Sequence, residues 1–166
     1  MNSTIFRVGT VANGQLFVMP RPSAEHLEEE LRRHRQAGID VIISLLEMNE
    51  QRELGLMLEN DVATTLGMEF YRFSIQDHSV PSPEVAQRAV DSVCRCLEAG
   101  KCVVIHCRAG IGRTGVITSC VLMRYGMQSD DAMALVSSAR GICIPDTVAQ
   151  IDFIYDYETQ LRAGEQ

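Results

Sequence analysis

The sequence predicts an α/β fold, with a central, largely parallel or mixed sheet flanked by helices and an antiparallel addition at the N-terminus. Three observations lead there. Short β-rich runs, such as Val103-Val104-Ile105 and Val41-Ile42-Ile43, alternate with longer segments of helical character. These runs are apolar without polar alternation, as strands covered on both faces must be. Proline and glycine fall where strand should give way to helix and helix to strand.

The elements follow in order along the chain. Phe6 to Val11 and Gln15 to Met19 flank Asn13-Gly14, a strong hairpin signal. Ser23 is placed to cap a helix running to about Gln36, and Gly38 to end it. Ile39 to Leu46 reads as a buried strand. Asn49 to Leu66 reads as helix, broken near Glu59 to Asp61, and Met68 to Ser74 as another strand. Ser82-Pro83-Glu84 starts a helix with proline at its first position, and Gly100 ends it. A further strand, Cys102 to Ile105, leads through a glycine-bearing loop into a helix reaching Tyr125. Helices over about Ser129 to Ala139 and Asp146 to Leu161 complete the chain.

With 166 residues, the chain is expected to form one domain spanning residues 1–166, long enough to bury roughly two thirds of its unfolded surface. Apolar and charged fractions of 46% and 22% are those of a globular protein. No run of about eighteen apolar residues occurs, and Met1-Asn2-Ser3-Thr4 lacks the layout of a signal peptide. A net charge of −7 argues against nucleic acid as a partner. The six cysteines sit within strand-like and helix-like segments, so a reducing, cytoplasmic setting is expected rather than a disulfide scaffold. Cys94 and Cys96, two apart on a helix, face different ways and make a poor metal pair.

The chemistry gathers in residues 106–115, His-Cys-Arg-Ala-Gly-Ile-Gly-Arg-Thr-Gly. Cys107 and Arg113 frame Arg108, Ala109, Gly110, Ile111 and Gly112 between a buried strand and a helix. A short glycine-bearing turn lets successive amides point inward on one anion. The positive end of the following helix aims at the same place. Such a field suits a thiolate nucleophile at Cys107. Arg113 offers a planar fork that matches two oxygens of a phosphate, which a lysine cannot do. A packed core thiol is the ordinary use of a cysteine after a strand, yet it leaves the ordered glycines, Arg113, Thr114 and Gly115 unaccounted for.

This segment resembles the signature loop of the cysteine-dependent protein tyrosine phosphatases, His-Cys-x5-Arg-Ser/Thr, and the short chain resembles the small, atypical members of the dual-specificity branch. The resemblance runs from about Phe6 to about Leu161 and implies a phosphotyrosine protein phosphatase-like fold. It also implies hydrolysis of phosphotyrosine, phosphoserine and phosphothreonine esters through a phosphocysteine, without metal or cofactor. The substrate is then a phosphorylated protein or peptide, with no membrane partner, and a monomer is expected.

The resemblance also assigns roles. Residues 108–113 bind the phosphate, Thr114 donates to the cysteine sulfur and eases its departure, and His106 orients the loop. Asp77 follows a strand whose carboxyl end should open beside Cys107 and begins Asp-His-Ser-Val-Pro. It matches the family's acid loop, so it is the general acid, with His78 as an alternative. Gln150 matches a glutamine that positions the hydrolytic water in many relatives. Asp146 is more simply a helix cap. Arg108 either touches substrate or sits in solvent. Arg140 either reads a second phosphate or complements its helix dipole. No lysine lies in the loop interior, unlike many relatives that act on inositol lipids. Were Cys107 to form a protective disulfide on oxidation, Cys102 or Cys143 would be its partner; five residues of strand, about 16 Å, separate Cys102 from it.

Three other readings stand beside this one: oxyanion or sulfur transfer of the arsenate reductase or rhodanese kind, hydrolysis of phosphoinositides or RNA 5′ phosphates, and a phosphate-binding module without turnover.

Overall fold

The computed structural model describes residues 4–165. Its strands are β1 (Phe6–Val11), β2 (Gly14–Met19), β3 (Val41–Ser44), β4 (Glu69–Arg72) and β5 (Cys102–His106). Its helices are α1 (Leu27–Gln36), α2 (Met48–Glu53), α3 (Glu59–Thr65), α4 (Pro83–Glu98), α5 (Gly112–Arg124), α6 (Ser129–Arg140) and α7 (Val148–Ala163).

The five strands form one sheet in the order β1-β2-β5-β3-β4. β1 runs antiparallel to β2, while β2, β5, β3 and β4 are mutually parallel. β5 therefore occupies the centre, and its carboxyl end lies on the same side as those of β3 and β4. The alternation of a strand sorts the core into two layers. Val41, Ile43, Val103 and Ile105 join residues of α4, α5, α6 and α7 on one face. Ile42 and Val104 join Leu27 and Leu31 of α1 and Ala63 of α3 on the other. Both faces of the sheet are covered, which explains the unbroken apolar runs. Among the described residues no helix is long and apolar enough to cross a membrane.

The architecture matches the predicted class, and several boundaries move. Ser23 does not cap α1: the helix begins at Leu27 behind His26, and the Ser23 amide instead donates to Glu30 Oε2 (3.2 Å). The long helical stretch does break, but at 54–58, earlier than Glu59 to Asp61, because Gly55 takes a positive φ of 69° there. Ser82 caps α4 through a bond from the Val85 amide. Thr147, not Asp146, caps α7, in a capping box with Gln150. The hairpin turn is Ala12-Asn13, with Ala12 at φ 50° and Gly14 already paired to Val11. Gly14 is needed for another reason, since a Cβ there would stand 2.2 Å from the Lys101 carbonyl oxygen.

A substitution pair checks this packing. Gly14→Ala should cost about 1–3 kcal/mol of unfolding free energy through overpacking. Gly9→Ala, where a Cβ would meet nothing within 4 Å, should cost much less. Urea titration of both variants measures the difference.

Candidate active site

β5 carries the chain through the sheet centre and releases it at His106 into the signature loop, and α5 starts five residues after Cys107. Cys107 is 3% exposed. The loop is held from several directions. Leu45 donates to the His106 carbonyl (2.9 Å) and Arg21 to the Arg108 carbonyl (3.1 Å). Arg140 donates to the Ala109 carbonyl (3.0 Å) while its guanidinium lies over the Phe6 ring, 4.5 Å from the centroid. Gly110 has φ 72°, and a Cβ there would lie 2.4 Å from the Met19 carbonyl oxygen. The loop thus follows a path that only glycine allows. With the carbonyls turned outward to these partners, the amides of Ala109, Gly110, Ile111 and Gly112 donate to no protein oxygen among the described residues. Main-chain donors collected this way at a helix start are suited to an anion.

Arg113, in the first turn of α5, is 1% exposed. Nη1 and Nη2 donate to Glu50 Oε1 and Oε2 at 2.6 and 3.0 Å. Nη1 also donates to the Ile75 carbonyl (2.8 Å), and Nη2 to Asp77 Oδ1 (2.9 Å). Burial works against the charge on both buried partners, and their mutual bonds outweigh it. Glu50 is drawn below the usual carboxylate range by the Arg113 hydrogen bonds, the Glu47 amide and the charges of Arg113 and Arg108. Arg113 is held above its ordinary value by Glu50 and by Cys107. Fork-to-fork geometry of this kind fixes a guanidinium in both position and plane.

Behind the loop lies a second buried pair. His106 Nε2 is 2.7 Å from Glu59 Oε1, with both side chains at 0% exposure, and His106 Nδ1 is 3.1 Å from the Cys107 carbonyl oxygen. Burial alone would disfavour the imidazolium, but the charge and hydrogen bond of Glu59 prevail and raise His106 above its ordinary value.

The structure brings together the residues singled out in the sequence. Asp77 reaches Arg113, and its Oδ2 lies 3.8 Å from Arg108 Nε. Arg108, at 44% side-chain exposure, also lies 3.5 Å from Glu50 Oε2. His78, at φ 61° and largely exposed, stands 3.6 Å from both Asp77 and Asp146. Thr114 is fully buried, and its hydroxyl has no hydrogen-bond partner among the described residues. Gln150 is fully buried too. Its Oε1 accepts from the Asp146 and Thr147 amides, and its Nε2 donates to the Ser79 carbonyl, all at 3.1 Å. A Cβ on Gly112 would meet that amide at 2.9 Å, so Gln150 borders the cradle while tying α7 to the segment after Asp77. Arg140 meets the outer face of the loop, where it holds main chain.

Two residues of the site escaped sequence reasoning, Glu50 and Glu59. Both sit in the segment between β3 and β4, far along the chain from the residues they hold, and each reads in sequence as an ordinary helix-surface acid. The one available signal was the need of a buried arginine for a buried acid.

These features place a buried cysteine, uncommitted loop amides and a buried arginine together at the carboxyl edge of a mixed sheet, and comparison with known proteins gives the family. The model of the polymorphic toxin system DSP-PTPase phosphatases matches residues 18–127, more than half of the chain. The chain belongs to this family of small cysteine-based phosphatases. It is 35% identical over 136 residues to protein tyrosine phosphatase domain-containing protein 1 of Bos taurus, covering 75% of this chain and 17% of that protein. It is 34% identical over 88 residues to effector protein hopD2 of Pseudomonas syringae pv. tomato, covering 53% of this chain and 19% of that protein. The chain thus spans less than a fifth of the length of these curated relatives. Among solved structures, kinase associated phosphatase superimposes with a TM-score of 0.88 at 16% identity, over 98% of both chains. That last likeness is one of fold.

The His106–Glu59 pair carries a pH signature. Because the folded state raises the histidine, the stabilisation is complete below its unfolded value of 6.5 and is lost as pH rises through the folded value. Glu59→Gln should cost about 3–5 kcal/mol near neutrality. It should also flatten the fall in Tm that the unmodified protein shows on the alkaline side, as calorimetry across pH would record.

Proposed function

We propose that this chain is a phosphatase that hydrolyses phosphorylated tyrosine, and with it phosphoserine and phosphothreonine, in protein or peptide substrates through a phosphocysteine. What supports the reading is a buried Cys107 followed by uncommitted loop amides and by the buried Arg113, whose Nη2 reaches the Asp77 carboxylate (2.9 Å).

In the first step the Cys107 thiolate attacks phosphorus in line with the ester oxygen. The S–P bond forms, the P–O bond breaks, and Asp77 gives its proton to the leaving oxygen. The amides of residues 108–113 and the Arg113 guanidinium hold the three equatorial oxygens throughout, which is the main electrostatic contribution. A phosphate seated on Arg113 takes over the Nη2 donor that Asp77 now accepts from, so substrate binding frees the carboxyl for its task as acid. In the second step Asp77 accepts a proton from water as the water attacks phosphorus. Inorganic phosphate leaves and the thiolate is restored. The unpartnered Thr114 hydroxyl is available to receive the departing sulfur. Gln150, its amide committed to main chain on both sides, supports the site by holding the acid loop against α7. His106 acts on the loop from behind, with Glu59 fixing its ring.

A monomer in a reducing, cytoplasmic setting fits this chemistry, and the six cysteines are all unpaired. The absence of lysine from the loop interior favours protein over inositol-lipid substrates, and the intact nucleophile and acid favour turnover over mere binding.

A steady-state assay with a generic aryl phosphate tests the reading. Cys107→Ser should abolish turnover, and Arg113→Ala should lower kcat/KM by about 10²–10³-fold. Asp77→Asn should slow an alkyl phosphate by about 10²–10⁴-fold and slow a good aryl leaving group less. Full activity of Asp77→Asn on both leaving groups would remove it from the role of acid.

A further inference from the structure

β4 is an edge strand, and α4 passes beside it. Between them runs a groove of about 460 Å³ whose walls include Tyr71 and Phe73 and the arginines Arg72, Arg88 and Arg95, with Asp91 as the one acid. Tyr71 and Arg95 continue it into a smaller hollow that ends at Lys101. On a chain of net charge −7 such a concentration of cations is local and set apart.

The acids of the groove are already neutralised. Asp91 accepts from Arg124 (2.8 Å) and from Gln87 (3.1 Å), and Glu69 accepts from Lys101 and from the Tyr71 hydroxyl. Arg72 donates to Gln51 Oε1 (2.7 Å), which leaves its positive charge uncompensated. Arg88 and Arg95 are exposed and make no hydrogen bond or ion pair among the described residues, although Arg95 feels the charge of Asp91. They lie seven positions apart on α4 and so share one face, two turns apart.

The strand edge adds a second feature. The amides of Glu69 and Phe73 donate toward β3, to the carbonyls of Asp40 and Ser44, both at 2.9 Å. By the alternation of a strand, the amides of Phe70 and Arg72 therefore face the open edge. Alternating donors and acceptors at strand spacing match a polypeptide backbone, and the arginines beside them match acidic side chains.

We infer that this groove is an exosite that seats an acidic peptide segment of the substrate, laid against the open edge of β4. The inference rests on the phosphoprotein reading above and deepens it by naming the flanking chemistry of the substrate. The reach is right: Arg72 and Asp77 are five residues apart, at most about 18 Å of extended chain. An acidic run separated from the phosphorylated residue by a comparable number of residues spans both places. Since screening sets in at about 10 Å in 0.1 M salt, the interaction should be salt-sensitive.

The test uses a fluorescein-labelled peptide that alternates Glu with Val and Thr and carries no phosphate, so its binding does not depend on turnover. Fluorescence anisotropy with the full chain at low ionic strength should give saturable binding. Arg88→Glu/Arg95→Glu should weaken it about tenfold or more, as should 0.5 M salt on the order of tenfold, while orthovanadate should leave it unchanged. Both arginines are exposed, and the paired Arg88→Ala/Arg95→Ala variant, with a smaller loss in the same direction, guards against misfolding as the cause. For a phosphotyrosine peptide bearing the same acidic run, the charge-reversed variant should show KM raised about tenfold with kcat and small aryl phosphate turnover unchanged. Equal affinity in the charge-reversed and unmodified proteins would overturn the proposal. So would displacement of the peptide by vanadate, or tight binding of a single-stranded RNA of equal charge where the peptide fails to bind.

Discussion

Arg113 is the interaction on which the rest of the structure depends. A guanidinium at 1% exposure keeps its charge only if the fold supplies partners. The fold does so from two separate segments: the Glu50 carboxylate on α2, and the Ile75 carbonyl and Asp77 carboxylate in the stretch after β4. One side chain therefore sets the position of the cradle's last residue, of the short helix α2 and of the candidate acid loop. Any displacement of Glu50 would leave a buried positive charge beside Cys107 without its fixed counter-ion, and the plane of the fork would be lost with it.

A second buried pair repeats the device at the other end of the loop. Glu59 holds His106, whose Nδ1 lies against the Cys107 carbonyl, so the backbone entering the loop is fixed just as the residue leaving it is. Both acids come from the stretch between β3 and β4, whose two short helices serve the loop from behind. Front and rim are held by Arg140 on the Ala109 carbonyl and by Gln150 between α7 and Ser79. The uncommitted amides follow from these constraints: each carbonyl turned outward to a fixed partner leaves its neighbouring amides turned inward.

Much of this was legible in the sequence, and where it was not the reasons are physical. Apolar runs without alternation announced strands covered on both faces, and the two core layers confirm that β3 and β5 are such strands. The order Cys107, Gly110, Gly112, Arg113 made the tight loop legible because its requirements are local: curvature, amides and a fork within seven residues. Asp77 was legible because it follows a strand parallel to β5. Glu50 and Glu59 were not, since nothing in the short helices around them signals burial until the sheet closes over them. Thr147 outcompeted Asp146 as the α7 cap because its hydroxyl accepts the Gln150 amide. The α2–α3 break fell at Gly55 rather than at the polar cluster, because a positive φ ends a helix where glycine permits it.

On the proposed function, Glu50 acts only by fixing Arg113, and a double-mutant cycle tests this. The measurement is kcat/KM on an aryl phosphate for Glu50→Gln, Arg113→Ala and their combination. The account predicts strong non-additivity, the double variant falling no lower than Arg113→Ala alone. Losses that multiply would show that Glu50 acts independently of the arginine, and would contradict it.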